Sequence, residues 1–126
     1  MPSSKRKAGG RASRLSRGHA YERAAEKIFR DQGFDVLERN WRTGHKEIDL
    51  IVRRRNLLVF VEVKSARTAS FGHPAEWVDK RKVENLTTAA LTYIQKNEIT
   101  DCDLRFDVVA FVCGRPEHYP DAFGVE

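Results

Sequence analysis

Hydrophobic and polar positions interleave most tellingly in two neighbouring segments. Lys46 to Val52 runs Lys-Glu-Ile-Asp-Leu-Ile-Val, and Leu57 to Lys64 runs Leu-Leu-Val-Phe-Val-Glu-Val-Lys. Residues two apart in a strand share a face. Glu47 and Asp49 therefore point one way, and Glu62 and Lys64 share a face with Leu58 and Phe60. Val59, Val61 and Val63 line the opposite face. Apolar residues on both faces predict a strand covered on both sides. The basic run Arg53-Arg54-Arg55-Asn56 makes a tight turn between the two strands, and Phe34 to Trp41, followed by a turn at Thr43-Gly44, reads as a strand before them. Three strands joined by short turns form an antiparallel meander.

Helical spacing flanks this meander. Over residues 17–32, Tyr21, Ala25, Ile28, Phe29 and Gln32 recur on one face, and Gly33 suits the position after the last turn. Glu22 and Glu26 form an i,i+4 acidic pair on that helix. Residues 65–72 read as a loop. Pro74 fits the first turn of a second helix reaching Lys96, with Val83, Leu86, Ala90, Tyr93 and Ile94 on its buried side and Lys80, Arg81 and Lys82 in its first half. Leu104 to Val112 is a last strand. The order αβββαβ predicts an α/β domain with a mixed sheet of about four strands flanked by helices. The expected organisation is a basic disordered arm at residues 1–16, a domain at 17–113 and an irregular tail at 114–126.

Size and composition narrow the class. A chain of 126 residues, 40% hydrophobic, supports one domain with one core. No apolar run approaches the roughly 20 residues of a membrane span, and no apolar leader opens the chain, so no membrane partner is expected. Cys102 and Cys113 are too few for a disulfide framework, which points to a reducing cytoplasm. The net charge of +5 is uneven: six bases precede the first acid, Glu22, and residues 18–126 carry 17 bases against 18 acids. A basic arm suits a polyanionic partner.

The chemistry lies in the charges that enter the apolar strands. Burying them is costly unless they are paired or coordinate a cation. Phosphodiester hydrolysis needs an activated water and stabilisation of charge on the phosphate oxygens, and a divalent cation held by carboxylates supplies both. Mg²⁺ accepts one or two carboxylates and keeps several waters. Asp49 and Glu62, on adjacent strands, suit that role with the Val63 carbonyl as a third oxygen, and Lys64 suits orientation of the water or neutralisation of charge.

Asp49 stands thirteen positions before Glu62, which opens the Glu62-Val63-Lys64 element. This order resembles the PD-(D/E)xK (restriction endonuclease-like) nuclease superfamily. From about Gly18 to Val112 the chain looks more closely like the YraN family of bacterial proteins, akin in fold to archaeal Holliday-junction resolvases. The matching residues are Glu22, Gly33-Phe34, Asn40-Trp41-Arg42, Glu47-Ile48-Asp49-Leu50-Ile51, Val59 to Lys64, Lys80 and Arg105-Phe106-Asp107-Val108-Val109. The resemblance implies a restriction-endonuclease-like αβββαβ core, Mg²⁺ or Mn²⁺ as cofactor and DNA as partner. It makes Asp49 and Glu62 metal ligands with Val63 and Glu47 beside them, Lys64 the catalytic lysine and Glu22 an extra acid. Junction cleavage would further imply a homodimer with two symmetric sites. Three departures stand out: Ile48 where the superfamily has proline, and Tyr21 and Lys46 where the family usually has glycine.

Each reading has a plainer rival. Asp49, Glu62 and Lys64 could form a structural salt bridge, but several ionisable groups on one face favour a site. Glu47 reads as ligand or rim acid, and Glu22 as site residue or half of a solvated pair. Lys46, Arg53, Arg54, Arg55, Lys80 and Arg17 are candidate phosphate contacts or solvated charges. Asp107 reads as a structural acid paired with Arg105 or with a lysine of the second helix, and Trp41 and Trp77 as core or rim aromatics. The histidines show no zinc spacing. The function expected is a metal-dependent DNA endonuclease, structure-selective for junctions or branches. A nucleic-acid-binding module without catalysis is the main alternative, and an adaptor for a basic partner a third.

Overall fold

A computed structural model describes the backbone of residues 9–66 and 79–123, with side chains over 19–65 and 79–123. The meander is present as predicted. Strands β1 (Asp35–Thr43), β2 (Lys46–Arg54) and β3 (Leu57–Ala66) pair antiparallel in sequence order. Helix α1 (Gly9–Asp31) precedes them, and helix α2 (Lys80–Lys96) carries the chain across the sheet to β4 (Asp103–Val112). β4 pairs parallel to β3 from Leu57↔Asp103 to Ala66↔Val112. A helical crossover is what a parallel neighbour requires. The αβββαβ order therefore holds.

The sheet has five strands in the order β1-β2-β3-β4-β5, not four. β5 (Arg115–Tyr119) pairs antiparallel with β4 and occupies part of the tail expected to be irregular. Cys113 and Gly114 make its two-residue turn, with φ of 53° and 80°. Left-handed φ at both positions is what a type I′ hairpin needs. Pro116 is tolerated because β5 is an edge strand. Two helix boundaries also differ. α1 begins at Gly9, so helical backbone runs into the expected disordered arm. Alanine and arginine there are good helix formers. α2 begins at Lys80 because Asp79 caps it: Asp79 is extended and its carboxylate accepts the Lys82 N–H at 2.9 Å. Pro74 and Trp77 lie outside the described residues.

The two faces carry separate cores. Ile48, Ile51, Leu58, Phe60, Phe106, Val108 and Ala110 pack against Leu86, Ala89, Ala90 and Tyr93 of α2. Leu50, Val52, Val59, Val61, Val109 and Phe111 pack against Ala25 and Phe29 of α1 and against Phe34. β3 and β4 are thus buried on both sides, as the apolar runs required. Trp41 is a half-buried rim aromatic, its ring edge-on to Tyr93 at 5.1 Å. Among the described residues no helix is long and apolar enough to cross a membrane.

Candidate functional site

β2 and β3 separate at the predicted acids. Their pairing runs from Arg54↔Leu57 to Leu50↔Val61 and ends there. Asp49 and Glu62 are the next residues on each strand. The Asp49 carboxylate accepts the Val63 N–H at 2.8 Å and stands in for the lost ladder contact. β3 itself stays fixed, because its pairing with β4 continues past Glu62 and Lys64. Beside Asp49 the regular alternation of β2 also fails. Ile48 and Ile51 belong to one core and Leu50 and Val52 to the other. Strict period-two spacing would have placed Ile48 and Leu50 on one face. On β1, Asn40 has φ 50° and falls between the pairs Arg39↔Leu50 and Trp41↔Ile48. Asparagine tolerates that conformation, and its side-chain amide donates to Glu22 at 3.3 Å. The irregular backbone on both strands turns Asp49 toward α1 and opens a cleft of about 550 Å³, lined by Glu22, Arg23, Glu26, Arg39, Asn40 and Asp49 among others.

Four acids act on one another here. The Asp49 carboxyl is pushed up to about 7. Burial is the largest cause and the charge of Glu62 the next; the Val63 N–H opposes them, and Glu22 and Glu47 add to the rise. Glu62 is only 5% exposed. Its Oε2 lies 3.6 Å from Lys64 Nζ and 3.5 Å from Lys82 Nζ. The site is therefore acidic around Asp49 and basic around Glu62.

The structure separates the acidic pair of α1. Glu22 faces Asn40 and acts on Asp49, whereas Glu26 is held by Arg39 through two 2.8 Å hydrogen bonds and by Arg30. Its carboxyl is pulled down to about 2, the Arg39 hydrogen bond outweighing burial and Arg30 adding to the pull. Glu47 sits at the rim, 3.5 Å from Arg42. Lys46 begins β2, three residues from Asp49.

The arginines of the β2–β3 turn are not brought to the site. They lie at the other end of β2, about 16 Å along the strand. Arg53 donates to the Arg55 carbonyl. Arg54 donates to the Gln32 carbonyl and covers the Phe34 ring at 4.4 Å, fastening the end of α1 to the sheet. Lys80 is exposed, and the Arg17 side chain lies outside the described residues. Asp107 is the structural acid expected of it. It is wholly buried; its Oδ1 accepts from Arg105 Nε and the Asp121 N–H, and its Oδ2 from Arg105 Nη2 and His118 Nε2. Burial would raise its carboxyl, but His118, Arg105 and that N–H together hold it low. Its partners are thus Arg105 and β5, not a lysine of α2.

Sequence spacing missed Lys82 and Asn40. Lys82 did leave a signal: with Leu86, Ala89 and Tyr93 it falls on the i, i+4, i+7 stripe that faces the sheet, and Lys80 does not. Asn40 left none in the spacing, because a left-handed asparagine inside a strand is invisible to periodicity; its only signal is the Asn40-Trp41-Arg42 element of the family resemblance.

The family model described as Uncharacterised protein family UPF0102 matches residues 21–111. The chain belongs to that family. A UPF0102 protein of Sulfurihydrogenibium sp. is 35% identical over 113 residues, 90% of this chain and 98% of the relative. Another, from Hahella chejuensis, is 44% identical over 92 residues, 73% and 74% of the two chains. The UPF0102 match covers Glu22, Asp49, Glu62, Lys64, Lys82 and Asp107, and stops before β5.

Among the described residues of this UPF0102 chain, no three histidine, cysteine, aspartate or glutamate side chains converge as a ready metal cage. Asp49, Glu62 and the Val63 carbonyl are nonetheless hard-oxygen donors of the kind Mg²⁺ or Mn²⁺ accepts. The Asp49 pKa is raised first by burial and then by the charge of Glu62, and a divalent cation would offset the repulsion between the two acids.

Proposed function

We propose that this protein is a metal-dependent endonuclease acting on phosphodiester bonds in DNA, with Asp49, Glu62 and the Val63 carbonyl holding Mg²⁺ or Mn²⁺. The observation that carries the reading is the pairing of an acid-crowded Asp49, raised to about 7, with Glu62 and Lys64 where β2 and β3 part. Charge of both signs at a break in a sheet suits a reaction that needs a cation and stabilises an anion. The bound ion would supply Lewis-acid polarisation of the phosphate. Lys64 neutralises charge developing on the phosphate oxygens and orients the attacking water. Glu22 and Glu47 deepen the negative potential at Asp49. The cleft along α1 gives the ion and its waters a path to the acids. Branched or junction DNA, a homodimer with two sites and a cytoplasmic setting belong to the same reading, through the resemblance to junction resolvases.

One observation favours a second reading, DNA binding without catalysis. Asp49 is engaged by the Val63 N–H, and Glu62 by two lysines. The test is incubation with duplex, single-stranded, flap and four-way-junction DNA in Mg²⁺, Mn²⁺ or EDTA. Cleavage that needs metal and vanishes in both Asp49→Ala and Lys64→Ala is the expected result. Binding with no cleavage by the wild type selects the second reading. Cleavage that survives Asp49→Ala refutes the assignment.

A further inference from the structure

Glu62 has more cation around it than its own charge requires. Lys64 lies at 3.6 Å and Lys82 at 3.5 Å from the same oxygen. One ammonium neutralises one carboxylate; the second leaves a positive excess on the α2 side of the site. The same helical turn also carries Lys80 and Arg81 and no acid, so three cations oppose the helix dipole there. The Asp79 cap offsets only one of these charges, and it binds the Lys82 backbone N–H, not its ammonium. Lys64 and Lys82 are 33% and 40% exposed, whereas Glu62 is buried. Both lysine side chains therefore reach solvent, whereas the glutamate side chain is almost wholly covered. Across the divergence, Asp49, Glu22 and Glu47 keep the other side negative.

We infer that Lys82 is a second phosphate-binding lysine of the site, delivered by the first turn of α2, and that the substrate strand approaches between that turn and β3. Resting on the phosphodiester reading, the inference adds the polarity of the site: cation on the α1 side, phosphate on the α2 side. Lys82 touches the substrate phosphate, and Glu62 keeps its ammonium in place until the phosphate arrives. Lys80, the lysine of this turn that the family resemblance singled out, is a peripheral charge. If Lys82 only fastened α2 to β3, removing it would cost stability and leave the electrostatics of binding unchanged.

The experiment is fluorescence anisotropy with a fluorescein-labelled synthetic four-way junction. Ca²⁺ replaces Mg²⁺ to suppress cleavage, and salt runs from about 50 to 200 mM. Lys82→Ala should bind about ten-fold more weakly at the low-salt end, with the log–log salt slope shallower by about one. Lys82→Arg should restore affinity and slope. Lys82→Met keeps the apolar stem and replaces the alanine variant should that one fail to fold. Variants with wild-type affinity and slope overturn the inference and leave the nuclease reading intact. Absence of binding by the wild type overturns both.

Discussion

Asp49→Asn should stabilise the metal-free protein, and increasingly so as pH rises. Asp49 is raised from 3.8 to about 7, chiefly by burial and by Glu62. Between those values the folded chain holds a proton that the unfolded chain has released. Folding takes up that proton, and stability falls as pH climbs through the window. A rise of about three pKa units at 1.36 kcal/mol each sets a ceiling of about 4 kcal/mol above pH 7. Asparagine removes this cost and keeps the side-chain volume. Its carbonyl still accepts the Val63 N–H, whose preference for the charged form is already contained in the value of about 7. The net expectation is a gain of up to about 4 kcal/mol at pH 8 and about zero near pH 4. Urea denaturation in EDTA, followed by tryptophan fluorescence at several pH values, measures it, and an unchanged slope with denaturant confirms a pure stability effect. A variant less stable than wild type at pH 8, or a gain independent of pH, would refute the reasoning.

Divalent ion should reverse this trend. Mg²⁺ or Mn²⁺ should raise the wild-type melting temperature more at pH 8 than at pH 6, as Asp49 gives up its proton, and should leave Asp49→Asn unmoved; a thermal shift series with EDTA controls checks both. Asp107→Ala should cost about 2–3 kcal/mol, because it leaves half-buried Arg105 and His118 without their shared acceptor and frees β5; chemical denaturation and amide exchange in residues 115–119 read the two effects. Glu26→Gln should flatten the loss of stability as pH falls from 4.5 to about 2, since the depressed carboxyl stabilises the fold above that window; its cost at neutral pH, about 1 kcal/mol, is small because Arg30 and Arg39 are exposed. Gly114→Ala should cost about 1–2 kcal/mol from the left-handed φ alone, for no atom lies within 4 Å of the added methyl group, and a melting curve measures it.

What was legible in the sequence was whatever local spacing controls. The apolar runs of β2, β3 and β4 must be covered on both faces, and that demand alone calls for a helix on each side. The thirteen positions from Asp49 to Glu62 place the two acids side by side once a short turn joins the strands. The rest depends on contacts between distant residues. Arg115 to Tyr119 has no apolar alternation; it is a strand because His118 and Asp121 close around buried Asp107. The break at Asp49 depends on Asn40 across the sheet. Arg54 is taken up by Gln32 and Phe34, which only the folded chain brings near. Three consecutive basic residues, Lys80, Arg81 and Lys82, look alike in sequence until the helix phase is known.

The most direct test of the central claim is a crystal structure grown with Mn²⁺ and measured for its anomalous signal. The account predicts a manganese ion bound by carboxylate oxygens of both Asp49 and Glu62 and by the Val63 carbonyl, with Lys64 beside it. A structure whose manganese lies elsewhere, with Asp49 still bonded to the Val63 N–H and Glu62 still facing its two lysines, would contradict it.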